Sequence, residues 1–421
     1  MQNKRLQSLL ASILLVSMLS ACAAGGGSEA ASGAGQSTPQ SAPQNEVQST
    51  AELEHISLND HITGEAASAD GMYLLQNVQP ASTNLFYIDF QSGTETYLCA
   101  APNCKHNSAD CTSYLAVTQG NFGYNIFYFG NHLYLLQCAE SSSEPPYLMQ
   151  IDPDGMNRTK IMELSSGETF SGTLFGYGNS VVMDIQRVDE SGKRRQNLEK
   201  IDLQTGQRTV LYTYPEKGYW TVMGITKDKL IFLTVNGSEW QYFWALPQGT
   251  EPLENYAAAN PLTPVFDPQK IHCTVQDKYL CSMDYSAGII SCTDLETGDS
   301  AQFPAPALPE GETMVGLEWL YDDRFAVTTD GPDGQIYRRL IDMNSGELTG
   351  TVYEQNEQHM QQIAAQWQDQ LLYLDHREEK PLQNQAEYGV SGEVTRYNCY
   401  KLITKAGFEA GEEGSDIVFA G

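Results

Sequence analysis

The stretch Leu198–Tyr212, LEKIDLQTGQRTVLY, carries the strongest information about the fold, because versions of it return along most of the 421-residue chain. It reads as a strand with alternating apolar residues, an Asp, a Thr-Gly turn and a second strand. Glycine suits the turn because it adopts positive φ without a Cβ clash, and the carboxylate that precedes it can cap the turn. The pattern predicts an antiparallel hairpin that is used repeatedly.

Clear copies of the hairpin begin at Tyr87, Met149, Ser291 and Leu340, and weaker copies begin at Phe243 and Tyr400. A second hairpin precedes most copies, and the examples begin at Thr173, Met223, Cys273, Leu317 and Ile363. The seven turn glycines lie about 40 to 60 residues apart, close to the period of a four-stranded propeller blade; they are Gly93, Gly155, Gly206, Gly249, Gly298, Gly346 and Gly407. The sequence therefore predicts an all-β fold, a single β-propeller of seven four-stranded blades, with six or eight blades as alternatives.

The amino-acid composition favours the same all-β fold, and the two ends of the repeat indicate how the ring closes. The chain has 23 Tyr, 14 Phe and 36 Gly, which suit half-buried strands and the many turns between them. The first unit has no clear innermost strand before Met72, whereas the chain ends in the strand-like segment Asp416–Ala420. We expect that one of these ends completes the blade of the other and closes the ring, which removes exposed sheet edges.

The units IDLQTGQRTVLY and TDLETGDSAQF resemble blades of bacterial propeller lipoproteins of the TolB-like and quinoprotein-like types, over most of Leu58–Ala420. The quinoprotein-like repeat has a Trp a few residues after its Gly, which docks the next blade. The corresponding residues here are Val210, Gln302 and Gly350. The resemblance therefore implies the architecture and not quinone binding.

The N-terminus reads as a targeting segment. Lys4 and Arg5 precede the apolar run Leu9–Leu19, which is too short to span a bilayer, and the run closes on Leu-Ser-Ala-Cys at Cys22. This closely resembles the lipobox of bacterial lipoproteins, which implies a signal peptide at 1–21 and a lipidated Cys22; the alternative is an ordinary signal peptide with a chance cysteine. Residues 22–57 are then the lipidated cysteine and a Gly-, Ala-, Ser-, Gln- and Pro-rich flexible tether, and 58–421 are the propeller. The expected location is the extracytoplasmic face of a bacterial membrane, on the cell surface or in the periplasm.

The net charge limits the kinds of partner that the protein can bind. With 53 acidic and 24 basic residues the formal charge is −29. Such a surface would repel a phosphate backbone, so nucleic acid is excluded as a partner. The expected partners are the membrane, through the lipid anchor, and a protein or glycan ligand.

The densest group of reactive side chains is Cys99, Cys104, His106 and Cys111. Three thiols and an imidazole are suitable ligands for tetrahedral zinc, although the spacing is not that of a standard finger. The alternative, which the sequence favours, is a disulfide between two of the cysteines, because an extracytoplasmic compartment permits oxidation. A cysteine-rich insertion after the first blade also resembles one in exported propeller lipoproteins of anaerobic Gram-positive bacteria. No cofactor is required by either interpretation, and zinc is the candidate metal.

Cys273, Cys281 and Cys292 lie on three successive predicted strands of the fifth unit. The midpoints between them fall on the predicted turns, which would set the three thiols side by side across one face. One pair is then a candidate disulfide, with one thiol left free. The alternative is that all three are buried free cysteines that pack as small hydrophobes.

The chain has no nucleophile elbow, no His-Glu-x-x-His and no phosphate loop, which lowers the expectation of an enzyme. We therefore expect a non-enzymatic binding platform, and we name no catalytic residue. Two alternatives are a carbohydrate-active lyase or hydrolase with its site in the propeller channel, and a solute-sensing accessory protein of a transporter or signalling system.

Overall fold

The computed structural model describes residues 51–420, except 58–60, 81, 117–122, 139–143, 190, 250, 277, 323, 343–344, 356–360 and 390; the side chains of 350–355 and 388 are not described. The described residues after Ala51 belong to one compact unit, Glu52–Gly421. The predicted signal peptide, Cys22 and most of the predicted tether lie outside the described residues. No described helix is long and apolar enough to cross a membrane.

The chain forms a seven-bladed β-propeller, as predicted. In chain order, β1 (Leu53–His55) is followed by blade 1, with β2 (Glu65–Ala67), β3 (Gly71–Gln79), β4 (Ser82–Asp89) and β5 (Thr94–Tyr97), and by a short strand on β4, β6 (Tyr114–Ala116). Blade 2 contains β7 (Tyr124–Phe129), β8 (His132–Gln137), β9 (Tyr147–Ile151) and β10 (Thr159–Glu163). Blade 3 contains β11 (Glu168–Tyr177), β12 (Ser180–Val188), β13 (Arg194–Asp202) and β14 (Arg208–Thr213).

Blade 4 contains three strands, β15 (Tyr219–Ile225), β16 (Leu230–Asn236) and β17 (Glu239–Ala245), and is followed by α1 (Leu253–Ala259). Blade 5 contains β18 (Ile271–Gln276), β19 (Tyr279–Asp284), β20 (Ile289–Asp294) and β21 (Ser300–Pro304). Blade 6 contains β22 (Thr313–Tyr321), β23 (Arg324–Asp330), β24 (Ile336–Ile341) and β25 (Leu348–Gln355). Blade 7 contains β26 (Gln362–Trp367), β27 (Gln370–Pro381), β28 (Val394–Thr404) and β29 (Ser415–Asp416), with a 3₁₀ helix (Gln385–Tyr388) and α2 (Lys405–Ala410) between strands; the last strand is β30 (Val418–Phe419).

The repeated hairpin of the sequence is the outer strand pair of a blade, and the hairpin before it is the inner pair. In blade 3 the carboxylate of Asp202 accepts hydrogen bonds from the backbone amides of Gln204 and Thr205, at 3.0 and 2.8 Å. Gly206 has φ +71°, and a Cβ there would lie 2.5 Å from the carbonyl oxygen of Ile161 in blade 2. Glycine is therefore required both by the turn and by the close approach of the neighbouring blade.

The prediction of an outer hairpin was wrong in detail for the two weaker copies, at Phe243 and Tyr400. Gly249 follows β17 but leads to no fourth strand; isolated bridges of Phe243 with Pro261 and of Trp240 with Phe266 take that place in blade 4. Gly407 lies inside α2, because the hydroxyl of Thr404 accepts a hydrogen bond from its amide at 3.0 Å and caps the helix.

Every blade shares an apolar core with the next around the ring. Mixed clusters join blades 1 and 2, 2 and 3, 4 and 5, 5 and 6, 6 and 7, and 7 and 1. Blades 3 and 4 meet through Tyr212, whose ring stands edge-on to Phe232 with centroids 5.7 Å apart. The burial of apolar surface between all neighbouring blades is the main force that closes the ring.

The ring closes differently from the expectation. Blade 1 has its own innermost strand, β2, so the C-terminal segment does not supply one. Instead Ser415–Asp416 completes blade 7 antiparallel to β28, and Val418–Phe419 runs parallel to β5 on the outer edge of blade 1. The final residues therefore bridge the outer edges of both blades.

Residues before position 58 also pair with strands of the propeller. Leu53–His55 pairs antiparallel with the innermost strand of blade 3, and Leu53 donates its amide hydrogen to the carbonyl of Lys227 at 2.9 Å. Further along, His61 and Thr63 form bridges with the innermost strands of blades 3 and 2. Leu53–His55, His61 and Thr63 therefore lie along the inside of the ring.

Candidate functional site

The loop between β5 and β6 brings together the four predicted donors Cys99, Cys104, His106 and Cys111. Their ligand atoms all lie within 4.8 Å of one another, and Nδ1 of His106 lies 3.3 Å from Sγ of Cys111. The three cysteines are free, so no disulfide joins them in the structure. The chain needs left-handed backbone at Asn103, φ +56°, and at His106, φ +55°, to turn the four donors toward one point.

The surroundings of this loop affect its titrating groups unequally. Burial raises the pKa of the Cys99 thiol, but hydrogen bonds from the Ala101 amide and from neighbouring thiols outweigh it, so that the pKa is lowered overall. Burial raises the pKa of Cys111 and lowers that of His106. A low pKa keeps the imidazole neutral, which is the form that binds a metal ion. The cluster is therefore chemically able to hold one metal ion.

In blade 5 the predicted cysteines are placed on adjacent strands. Cys281 and Cys292 are direct neighbours on β19 and β20, with Cα atoms 4.1 Å apart, and they form a disulfide. Cys273 is free, and its strand is displaced by one residue from the predicted register, because it pairs with Ser282 and not with Cys281. The three thiols therefore do not form one row across the blade, because side chains one residue apart on a strand point to opposite faces.

The blade 4 aromatic residues mostly serve the core. Tyr242 and Phe243 are 1% and 0% exposed, and Trp240 and Trp244 pack against the apolar cluster that joins blades 4 and 5. Tyr219, which is 48% exposed, is the exception. These strands present no aromatic platform for a ligand.

A cavity of about 390 Å³ lies at the end of the central channel where the innermost strands terminate. It is lined by residues from the ends of β2, β18, β22 and β26 and from the segment that follows β1; they are Ala67, Gln276, Trp319, Asp322, Ala365, Gln366, His55, Ile56 and Ser57. Four blades and the N-terminal segment therefore converge on one space. The sequence alone does not reveal this site, because its residues come from turns and strand ends that are spread along the chain from His55 to Gln366.

The polar groups of the channel-end cavity are held by local contacts. The indole nitrogen of Trp319 donates to the carbonyl oxygen of Asp322 at 2.7 Å, which fixes the ring at the strand end. The carboxylate of Asp322 lies 2.6 Å from Nζ of Lys405. The hydroxyl of Ser57 is buried and has no hydrogen-bond partner among the described residues. The site thus combines an indole ring, two side-chain amides, a carboxylate and a hydroxyl.

A second cavity, of about 480 Å³, lies between β6 and blade 2. Its walls include Tyr114, Tyr124, Tyr147, Glu144 and Arg158. The guanidinium of Arg158 is already bound to backbone carbonyls, those of Gly155, Thr112 and Tyr114. This cavity therefore offers aromatic surface but no free guanidinium for an anionic ligand.

Comparisons with known proteins find the fold but no family. No protein-family model matches the chain, and no curated protein matches it in sequence. Among solved structures, a prolyl endopeptidase is 10% identical with a TM-score of 0.51, over 83% of this chain and 51% of that one, so that the chain spans about half its length. An oligogalacturonate lyase in complex with manganese is 13% identical, TM-score 0.42, over 84% and 90% of the two chains. TolB from Acinetobacter baumannii is 12% identical, TM-score 0.34, over 84% and 79%. At these identities the likeness concerns the fold alone and assigns no activity to this chain.

Proposed function

We propose that this protein is a lipid-anchored extracytoplasmic lipoprotein whose propeller binds a glycan, without catalysis, in the cavity at the end of its central channel. The lipobox-like sequence that ends at Cys22 supports the anchor and the location. The convergence of four blades and the N-terminal segment on one cavity supports the binding site, and it is the observation on which the proposal rests.

The chemistry of the cavity favours a short saccharide over a protein. A space of about 390 Å³ admits a small ligand and not a folded partner. The ring of Trp319 offers apolar surface to the C–H face of a sugar. The amides of Gln276 and Gln366 and the carboxylate of Asp322 supply the donors and acceptors that hydroxyl groups need. A rigid propeller holds these groups in position before the ligand arrives, which reduces the entropy lost on binding.

A glycan array followed by calorimetry on the purified protein tests the proposal. Trp319→Ala is expected to weaken glycan binding by up to about tenfold, because an aromatic contact contributes about 0.5 to 1.5 kcal/mol beyond its buried area. Gln366→Ala should also weaken binding. This variant tests the site without removing the ring of Trp319, which also packs against the apolar core of blades 5 and 6. Tyr219→Ala is the matched control, since Tyr219 is exposed but lies outside the cavity, and it should bind as the wild type does.

Two outcomes would overturn the proposal. Capture of a protein partner, with no glycan bound, would show that a different surface is used. Cleavage of a polysaccharide that is lost in Asp322→Asn would establish a lyase or hydrolase at the same cavity, a reading favoured by the presence of both Asp322 and His55 in its walls.

A further inference from the structure

We propose that Cys99, Cys104, His106 and Cys111 bind one zinc ion with four protein ligands, and that this site fastens the junction between blades 1 and 7. Binding would release the thiol protons to solvent and leave three thiolates and a neutral imidazole around the metal. Because all four positions are supplied by the protein, the site is structural and offers no open position for catalysis.

The sulfur atoms are prepared for metal binding by the backbone. The amide of His106 donates to Sγ of Cys104 at 3.4 Å, and the amide of Ser113 donates to Sγ of Cys111 at 3.4 Å. Two of the three sulfurs thus receive a hydrogen bond from the residue two positions further on, and such bonds stabilise the thiolate form. This repeated arrangement orients the sulfurs in a way that a disulfide would not require.

The ring of His106 is fixed from outside the cluster. It stacks on Tyr97 of β5, with ring centroids 3.8 Å apart and planes 11° apart. The backbone carbonyl oxygen of His106 accepts hydrogen bonds from the side-chain amides of Gln79, at 2.7 Å, and Asn84, at 3.0 Å. Contacts of this kind hold a histidine ligand in one orientation toward a metal.

The charge around the cluster is balanced by Arg158. Three thiolates, a neutral imidazole and Zn²⁺ carry a net charge of −1. The guanidinium of Arg158 is partly buried and donates to the carbonyls of Thr112 and Tyr114, which follow Cys111 in the chain. No described carboxylate forms an ion pair with it, and a nearby negative charge would stabilise this cation. An anionic metal cluster beside it would provide the missing counter-charge.

The cluster loop lies against the hairpin loop of blade 7. Lys105 contacts Glu387 at 2.8 Å, and the side-chain amide of Asn107 donates to the same carboxylate at 2.5 Å. The hydroxyl of Tyr97 donates to the side chain of Gln383 at 3.0 Å. A metal that orders residues 99–111 would therefore also order residues 382–388 and strengthen the junction at which the chain closes its ring.

Metal analysis of the purified full-length protein, prepared without reductant or chelator, tests the site. We expect one zinc per chain, and in Cys104→Ser and His106→Ala we expect the zinc content to fall by at least about tenfold. Cys138→Ala, which removes a free cysteine outside the cluster, should keep its zinc. Replacement by Co²⁺ should give the intense visible absorption of a tetrahedral thiolate site.

Hydrogen exchange tests the role at the junction. Removal of zinc by a chelator should increase exchange in residues 98–113 and 382–388 and leave blade 4 unchanged. A protein that carries no metal, with either an intra-loop disulfide or three free thiols that take up no Co²⁺, would overturn the metal site. Zinc that is bound without any change of exchange at 382–388 on its removal would overturn the fastening role.

Discussion

Replacing Asp184 by asparagine is expected to remove a pH-dependent loss of stability from blade 3. Asp184 is 1% exposed, and its carboxylate accepts a hydrogen bond from the hydroxyl of Tyr214 at 2.7 Å and a long one from the amide of Thr173 at 3.4 Å. Burial raises the pKa of this carboxyl from 3.8 to about 6, because the surrounding hydrogen bonds only partly offset the desolvation of the charge.

The pH dependence of the contribution of Asp184 to stability follows from the difference between its pKa values in the folded and unfolded protein. The unfolded chain ionises Asp184 near 3.8 and the folded chain near 6, so the folded protein binds the proton more tightly. The contribution of this group to stability is complete below 3.8 and is lost as the pH rises through about 6. The difference between the two pKa values corresponds to about 3 kcal/mol, since a difference of one pH unit is worth about 1.4 kcal/mol.

Urea unfolding of wild type and Asp184→Asn across this pH range measures the effect. The free energy of unfolding of the variant, relative to wild type, should rise by about 3 kcal/mol between pH below 3.8 and pH above 6. Asp202→Asn is the control of opposite sign: hydrogen bonds from the side chain and amide of Thr205 lower the pKa of Asp202, so its contribution is lost as the pH falls. A constant difference between wild type and Asp184→Asn at every pH would refute the reasoning.

Three further predictions concern the disulfide, the junction of blades 1 and 7, and the anchor. Reduction of Cys281–Cys292, or its replacement by two alanines, should lower the free energy of unfolding by about 3 kcal/mol, the loop-closure value for a separation of 11 residues, and reductant should then have no effect on the variant. Tyr400→Phe should lower the free energy of unfolding by about 1 to 3 kcal/mol at neutral pH, because the partly buried carboxyl group of Glu65 loses a hydroxyl donor at 2.5 Å; an unchanged urea midpoint would contradict this. Cys22→Ser should move the protein from the membrane fraction to the soluble extracytoplasmic fraction, and retention in the membrane would show another means of attachment.

The architecture was predictable because the information is local and repeated. A turn such as Asp202–Gly206 is specified within five residues, and its carboxylate and hydroxyl act through contacts that need no distant partner. The copy at Tyr400 failed because Thr404 serves equally well as a helix N-cap, and the surrounding packing selects between the two. The local sequence therefore predicts the hairpin only where its residues favour a single conformation.

The same distinction between local and long-range information explains which candidate site could be predicted from the sequence. Cys99 and Cys111 are close enough in sequence for one loop to bring their sulfurs together, so the cluster could be predicted. The channel-end cavity could not, because Trp319 and Gln366 meet only after the blades have assembled. The inner strand Leu53–His55 was also missed, since its three residues carry no alternating pattern and pair only with a strand more than 100 residues away in the chain.

The two groups of cysteines differ in what surrounds the sulfurs, and this difference argues for a disulfide in one group and a metal site in the other. Cys281 and Cys292 face each other across adjacent strands, so two thiols can pair without a competing ligand. In the loop of Cys99 and Cys111 a third thiol and an imidazole point to the same place, and backbone amides donate to the sulfurs of Cys104 and Cys111. A disulfide there would use two sulfurs and leave a thiol and a histidine without function, whereas a metal ion uses all four donors. If the zinc proposal is correct, the metal must therefore be bound before the loop is oxidised, and protein oxidised in the presence of a chelator should not recover zinc until it has been reduced.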